Sequence, residues 1–235
     1  MAGRAEGRTD MRRKVETGYS RGEETRARIL DVAVRMFGSH GFDGVSTREI
    51  AAAASVPQPS LRYYFESKQG LYVACLNHVQ ALTLQAVEPV IVEAERLLAD
   101  DAASGFQMID AFCSIQEAMI DHLIGGVEGS ATALFMVRHD LPSVGGAHKF
   151  TGDGTIAYRL TACFTRLIMR ISGSGLDGQA ALLVAGLLNG PLTIIYIRRG
   201  RLADIGWDIT PERLQWLRRT IRKHTTAALL VYLTE

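Results

Sequence analysis

The sequence predicts an all-α protein in which a small three-helix unit precedes a larger helical domain. Apolar residues recur at intervals of three and four from Glu23 onward, which is the spacing of a helix with one buried face. No segment beyond Pro89 alternates apolar and polar residues as a half-buried strand would. Residues 46–68 fit two short helices joined by a tight corner, and the small unit is organised around them.

The first short helix is predicted to begin after Ser46. The Ser46 hydroxyl can accept from an amide of the first turn, while Glu49, three residues on, can reach back to the Ser46 amide, and this pair is a capping box. Four alanines carry the helix to Ala54. Val56 precedes Pro57, and a residue before proline is pushed out of helical geometry, so the helix ends at this corner.

The second short helix is predicted to begin at the two prolines that follow the corner. Pro57 and Pro59 fit a first helical turn, where the missing amide hydrogen has no intrahelical partner, and the helix ends near Phe65. Two such helices form a helix-turn-helix, whose second helix enters the DNA major groove. Gln58 can pair with an adenine edge, and Pro59 can contact a thymine methyl. The other candidate DNA contacts, to phosphates or a guanine edge, are Thr47, Arg48, Ser60, Arg62, Tyr63, Tyr64 and Lys68.

The flanking helices complete this unit. Residues 23–39 form a helix with one apolar face, which Gly41 ends. A fourth helix begins after Ser67 as its N-cap and is predicted to run to Pro89. It is the natural lever between the two parts of the chain.

The pattern of this region resembles the N-terminal domain of the TetR family of transcriptional repressors over about residues 23–75. The residues that carry the resemblance are Gly41, Phe42, Ser46, Thr47, Arg48, Glu49, Ile50, Ala51, Val56, Leu61, Tyr64, Phe65, Lys68 and Leu71. Two positions depart from the family pattern. Arg62 stands where the family more often has a phosphate-contacting tyrosine, and Gly70 replaces a helix-favouring acidic residue. Arginine keeps the donor role at the first position.

The resemblance implies an all-α homodimer with a helix-turn-helix DNA-binding domain followed by a helical ligand-binding and dimerisation domain. We expect a disordered basic tail at 1–22, the DNA-binding domain at 23–75, and the effector-binding and dimerisation domain at 76–235. The tail holds six Lys or Arg against three acidic residues and almost nothing apolar. It is either a solvated tail or a basic arm that lies along DNA.

Every segment of the C-terminal domain is predicted to be helical. A loop is expected at 141–146, with further glycines at 152 and 154. The predicted helices are 90–100, 106–124, 129–138, 155–172, 180–197 and 211–233. Residues 180–197 carry no charge and just reach the length of a membrane span, but Asn189-Gly190-Pro191 would interrupt a span, so burial against a partner subunit is the preferred interpretation. The family resemblance places the homodimer interface in 178–198 and 211–233.

The middle helices are rich in side chains that line apolar pockets in helical bundles. Most of these residues are expected to be ordinary core, with a few facing a small, largely apolar effector. The candidate effector-binding residues are Phe112, Gln116, Met119, Phe135, Arg138, His139, Phe164 and Asn189. The polar members of this set would fix the orientation of the ligand.

Composition and motifs limit the remaining possibilities. The net charge is +1, but residues 1–75 carry 12 Lys or Arg against 9 acids, whereas residues 76–235 carry 14 against 16. Three separated cysteines predict reduced thiols in the cytoplasm, and no cofactor, metal site or enzyme motif is expected. A metal site built from His78, His122 and His139 is the weaker alternative to ordinary imidazoles.

The sequence therefore predicts a repressor that binds a palindromic operator as a homodimer and is released by an apolar effector. The alternative is a ligand-insensitive DNA-binding or architectural protein whose C-terminal domain only dimerises. Activation of transcription instead of repression stays open, because the direction of the effect depends on where the operator lies. A helical enzyme with a DNA-binding appendage is disfavoured because the chain offers no paired carboxylates and no nucleophile with a base.

Overall fold

The structure, a computed structural model, describes residues 6–125, 129–140, 155–173, 175–198 and 204–233. Within these ranges every regular element is helical and none is a strand, so the predicted all-α class is confirmed. In chain order the helices are α1 Glu6–His40, α2 Thr47–Ala53, α3 Gln58–Phe65, α4 Lys68–Leu98, α5 Gly105–Ile120, a π-helical turn Asp121–Gly125, α6 Gly129–Asp140, α7 Thr155–Ser172, α8 Gly178–Ile197 and α9 Pro211–Leu230. The loop predicted at 141–146 lies outside the described residues.

Helix α1 begins earlier than the sequence predicts. The expected start was Glu23, whereas the helix begins at Glu6 and includes most of the segment predicted to be disordered. Eight of the seventeen added residues, 6–22, are Arg, Glu, Lys or Met, which have high intrinsic helix propensity. Disorder of residues 1–22 in solution stays a prediction.

Two prolines lie inside helices that the sequence predicts to end or break near them. Pro89 was expected to end the fourth helix, but α4 continues through it to Leu98. The carbonyl of Gln85 loses its amide partner at this position, and both Gln85 and Pro89 are exposed, so water can satisfy that oxygen. Pro191 likewise lies within α8, where it is exposed.

The first core is formed by the four helices α1, α2, α3 and α4 together with one helix of the C-terminal part. Its fully buried side chains include Phe37 of α1, Ile50 of α2, Leu61 of α3 and Leu76 of α4. Phe135 of α6 completes this core, where its ring lies 5.1 Å from that of Tyr72. The helix-turn-helix is therefore anchored to α6 as well as to its own neighbours.

The second core fills the space between α4, α5, α7, α8 and α9. The rings of Phe112 and Phe164 pack with centroids 4.5 Å apart at its centre. Two arginines tie its helices together at the surface. Arg159 of α7 bridges Glu88 and Glu95 of α4 at 2.8 and 2.7 Å, and Arg222 of α9 binds Glu117 of α5 at 2.6 Å.

Candidate nucleic-acid interface

Helix α2 is fixed at its N-terminus by the predicted capping box. The Glu49 amide donates to Ser46 Oγ at 3.2 Å, and the Ser46 amide donates to Glu49 Oε2 at 2.8 Å. The Ser46 hydroxyl also donates to the same carboxylate at 2.7 Å, and these hydrogen bonds lower the pKa of Glu49. The carboxylate is therefore engaged within the protein.

The corner between α2 and α3 closes by a Schellman motif. Ser55 adopts a left-handed backbone with φ of 54°, and its amide donates to the Ala52 carbonyl at 3.1 Å. The Val56 amide donates to the Ala51 carbonyl at 3.0 Å, and the Val56 side chain packs against the first core. Serine takes the place of the glycine that this conformation favours, so the corner holds a strained residue.

Helix α3 turns its polar residues outward. Only Leu61 and Phe65 of this helix are buried, and both belong to the first core. Gln58, Pro59 and Arg62 are exposed, and Tyr63 is 84% exposed. Helix α3 therefore presents the N-terminal residues that the sequence predicts for base contacts. The other predicted contacts are Arg48, which is exposed, and Thr47 and Ser60, which are half-buried.

Tyr64 and Lys68 are engaged within the domain. Tyr64 is half-buried and packs against the first core, so only part of this side chain is free for a phosphate. The Lys68 ammonium lies 4.5 Å from the centre of the Phe42 ring, a cation–π contact that holds it beside α3.

Gly70 is explained by the close approach of α3 and α4. A Cβ at this position would collide with the Phe65 carbonyl, the last residue of α3, while the Gly70 amide donates to the N-cap Ser67 at 2.9 Å. This close contact explains why glycine stands at position 70 in place of the acidic residue of the family pattern. A larger residue would push α4 away from α3.

An open groove lies between the N-terminal ends of α2, α3 and α4. Thr47, Gln58, Arg62 and Lys68 line it. Three carboxylates, those of Asp43, Glu49 and Glu66, line it too. The charge on this surface is mixed, so DNA affinity would depend on a few placed contacts and not on a broad basic field.

The predicted effector residues separate into two groups. Phe112, Met119 and Phe164 all pack against the second core. Gln116 is buried there, and its Nε2 donates to the Leu188 carbonyl at 3.1 Å and to Asn189 Oδ1 at 3.2 Å, while its Oε1 accepts from Thr225 at 2.8 Å. The amide of Gln116 thus links α5, α8 and α9, and both of its N–H donors are used within the protein.

The three remaining candidates lie on α6 beside the DNA-binding domain. Phe135 belongs to the first core. Arg138 donates to the Ser39 carbonyl at 3.0 Å, and His139 Nδ1 lies 3.5 Å from the Tyr72 hydroxyl. The structure does not bring these residues together with Phe112 and Phe164, and it gives them contacts between α6, α1 and α4 instead.

The histidines weighed as metal ligands have separate partners. His78 Nε2 lies 3.1 Å from Asp31, and His122 Nε2 lies 3.3 Å from Thr83. Over the described ranges, no three His, Cys, Asp or Glu side chains are grouped to hold a metal ion. Cys75, Cys113 and Cys163 are buried, and burial raises the pKa of the Cys163 thiol to about 11.

Helix α8 is apolar yet mostly uncovered. Residues 178–196 are long and apolar enough to cross a membrane, but only 22% of that stretch is buried in the chain. Leu183 and Leu187 are 70% and 75% exposed, whereas Ala181 and Ala185 are buried against the second core. On α9, Trp216 and Leu230 are also exposed. The sequence alone indicated the apolar length of α8 but not which face lies open.

The fold and the exposed second helix of the helix-turn-helix define a DNA-binding transcriptional regulator, and this chain belongs to the TetR family. The family described as bacterial regulatory proteins, tetR family, matches residues 29–75. The HTH-type transcriptional dual regulator CecR of Shigella flexneri is 37% identical over 211 residues, which are 87% of this chain and 91% of the relative.

Solved structures show the same fold at lower identity. AibR in complex with isovaleryl coenzyme A and operator DNA has a TM-score of 0.60 at 17% identity, covering 88% of this chain and 98% of AibR. FadR of Bacillus subtilis in complex with stearoyl-CoA has a TM-score of 0.59 at 14% identity, covering 86% of this chain and 97% of FadR. The family and these relatives are regulators, not enzymes.

Proposed function

We propose that this regulator acts as a homodimeric repressor that binds a palindromic operator and is released by a small, largely apolar effector. The exposed N-terminal end of α3 is the observation that carries the proposal. Leu61 and Phe65 hold the helix on the core, which leaves Gln58 and Pro59 free to meet base edges in a major groove. Arg48, Arg62 and Tyr63, which are exposed, would contact phosphates on either side.

The exposed apolar face of α8 supports dimerisation through residues 178–198 and 211–233. Leu183, Leu187 and Ile194 would otherwise remain in water, at a cost that burial against a second copy removes. A Cβ at Gly186 or Gly190 would meet nothing within 4 Å, so a partner helix can approach the backbone here. Two recognition helices would then meet successive major grooves, about 34–36 Å apart or a multiple of that spacing.

Helix α4 supports a lever mechanism for release. It starts beside the recognition helix at Lys68 and continues without a break through both cores to Leu98. An effector that favours a wider separation of the two recognition helices weakens operator binding, and operator binding weakens effector binding by the same factor. AibR and FadR, which share the fold, are bound to acyl coenzyme A molecules in their solved structures.

A second candidate function is dual regulation, with activation at some promoters. The relative CecR is a dual regulator and matches most of this chain. The same dimer would activate or repress according to where its operator lies, and the protein would act in the cytoplasm where that DNA is accessible.

Selection of bound fragments from random duplex DNA tests the proposal. We expect a two-fold symmetric consensus, bound by a dimer, whose affinity falls steeply as salt rises. Apolar compounds that stabilise the protein should release the consensus fragment. A symmetric consensus that no stabilising compound releases would favour the ligand-insensitive alternative. Indifference to all duplexes at low salt would refute the proposal.

A further inference from the structure

Gln80 of α4 carries a side-chain oxygen, Oε1, that is buried and has no hydrogen-bond partner. Over the part of the chain that the structure describes, no other buried side-chain nitrogen or oxygen is left in this state. Native proteins leave few such groups, because an unpaired buried acceptor has lost its water without replacement. This oxygen is therefore placed to accept from a molecule that the chain itself does not supply.

The α4 face that Gln80 shares is apolar. Leu84, Val87 and Ile91 follow it at four, seven and eleven residues, which places all four on one side of the helix. Val87 and Ile91 are fully buried, but the Leu84, Met119 and Leu160 side chains around them are only partly buried. An apolar wall with a polar group at one end is typical of small-molecule sites.

A second acceptor, His122 Nδ1, belongs to a ring that contacts α4 at Thr83, about one turn beyond Gln80. The Thr83 hydroxyl donates to the Val79 carbonyl at 2.9 Å, so its single proton is used, and it can only accept from His122 Nε2 at 3.3 Å. In a neutral ring that donates through Nε2, His122 Nδ1 is the acceptor nitrogen. Burial lowers the pKa of His122, which favours this neutral form. The π-helical turn Asp121–Gly125 places this ring against α4.

We propose that the effector lies on this face of α4, with an apolar body on Leu84, Met119 and Leu160 and an O–H or N–H group that donates to Gln80 Oε1. This inference rests on the proposed function and names the ligand class, an uncharged molecule with a hydrogen-bond donor. A carboxylate cannot donate a hydrogen bond to Gln80 Oε1 or His122 Nδ1, so it is disfavoured at these two atoms. Because the site lies on α4, occupancy acts directly on the proposed lever.

Matched probes test the donor requirement on the full-length protein. Each pair differs only by a methyl group in place of the donor hydrogen: phenol and anisole, indole and 1-methylindole, 1-octanol and octyl methyl ether. Binding is measured by calorimetry and by the thermal midpoint. For at least one pair we expect the donor to bind wild-type protein about tenfold more tightly than its methylated partner. Octanoate should bind more weakly than 1-octanol.

The variant Gln80→Leu removes the acceptor and keeps the volume. We expect the tenfold preference to disappear, while the thermal midpoint of the free protein does not fall, because an unpaired buried oxygen has been removed. Gln85→Leu, the same change at an exposed position of α4, should keep the preference. A lower midpoint for free Gln80→Leu would show that Gln80 has a structural partner, and the inference would fail.

Failure of this inference can be separated from failure of the proposed function. If methylated and donor probes bind alike, if no donor probe binds wild-type protein, or if Gln80→Leu keeps the preference, the assignment is wrong. Operator selection and dimerisation are measured without any ligand, so a symmetric operator bound by a dimer would leave the regulatory proposal standing in each of those cases.

Discussion

Helices α3 and α8 each expose one side to water, yet the two exposed surfaces differ in chemistry. The exposed side of α3 consists of Gln58, Pro59, Arg62 and Tyr63, which offer donors, a charge and ring faces. The exposed side of α8 is mostly apolar and carries no charge: it includes Leu182, Leu183, Gly186, Leu187, Pro191, Thr193 and Ile194. Water hydrates the first surface well and the second poorly, so the first suits DNA and the second suits another protein surface.

The largest expected effect comes from placing a charge on the α8 surface. Leu187→Asp should raise the dissociation constant of the dimer about a thousandfold. Burying a leucine is worth about 2 kcal/mol, and a two-fold symmetric dimer loses this contribution from both protomers, about 4 kcal/mol in total. Leu187 is 75% exposed in the single chain, so the fold of the protomer should be unaffected. Sedimentation velocity and operator binding measure the two consequences.

Val92→Asp is the control for that experiment. Val92 is half exposed but lies on α4, away from the α8 surface. The Val92→Asp protein should therefore remain a dimer with unchanged operator affinity. A Leu187→Asp protein that stays dimeric at nanomolar concentration would show that α8 is covered by something other than a second copy.

Removing the side chain of Gln58 tests the α3 surface. Gln58→Ala should weaken the free energy of operator binding by about 1–3 kcal/mol per half-site, because a bidentate contact to a base edge is lost. The preference for one base at the contacted position should be relaxed. Lys68→Ala should weaken binding to all sequences alike. Binding is compared across operator variants with every base substituted, using Gln85→Ala on the exposed side of α4 as the control. An unaltered preference profile in Gln58→Ala would place the base contacts elsewhere.

The two surfaces also differ in how far the sequence could predict them. The capping box at Ser46, the corner at Val56 and the exposed start of α3 are local, since each depends on residues within a few positions. The effector residues depend on how distant helices meet. Nothing in the sequence near Phe135 indicates that it packs with Tyr72 in the first core and not with Phe112 in the second.

The helix end predicted at Pro89 was wrong, and the reason is again non-local. A proline predicts a helix end, but Pro89 lies on the exposed side of a helix that both cores hold in place. Packing along the rest of α4 outweighs the one lost backbone hydrogen bond. The orphan oxygen of Gln80 could not be found from the sequence at all, because only the packing of α4 shows which of its polar groups lack a partner.

The inner side of α8 depends on Gln116. Gln116→Leu should lower the free energy of unfolding by about 1–3 kcal/mol, because the Leu188 carbonyl and the Thr225 hydroxyl lose their partner in a buried place. Urea denaturation measures this loss. Gln85→Leu, the same change at an exposed position of α4, is the control and should leave the free energy of unfolding unchanged. A Gln116→Leu protein of wild-type stability would show that this network does not hold α8.

The smallest effect concerns the cap of α2, the helix that supports α3, and it can be measured against a second cap in the same chain. Ser104 and Gln107 form a capping box on α5 with nearly the same geometry: the Gln107 amide donates to Ser104 Oγ at 3.3 Å, and the Ser104 amide donates to Gln107 Oε1 at 2.7 Å. Loss of either serine hydroxyl should cost about 1 kcal/mol at neutral pH. The boxes differ because Glu49 titrates and Gln107 does not.

This difference predicts distinct pH profiles for Ser46→Ala and Ser104→Ala. The pKa of Glu49 is lowered in the folded protein by hydrogen bonds from Ser46, so its contribution is present above the ordinary glutamate pKa and is lost as the pH falls through the folded value. The cost of Ser46→Ala should therefore shrink in acid, leaving the part due to the Glu49 amide bond, while the cost of Ser104→Ala stays constant. Urea unfolding of both variants at several pH values measures the two profiles. Parallel profiles would show that the charge of Glu49 adds nothing to the support of α3.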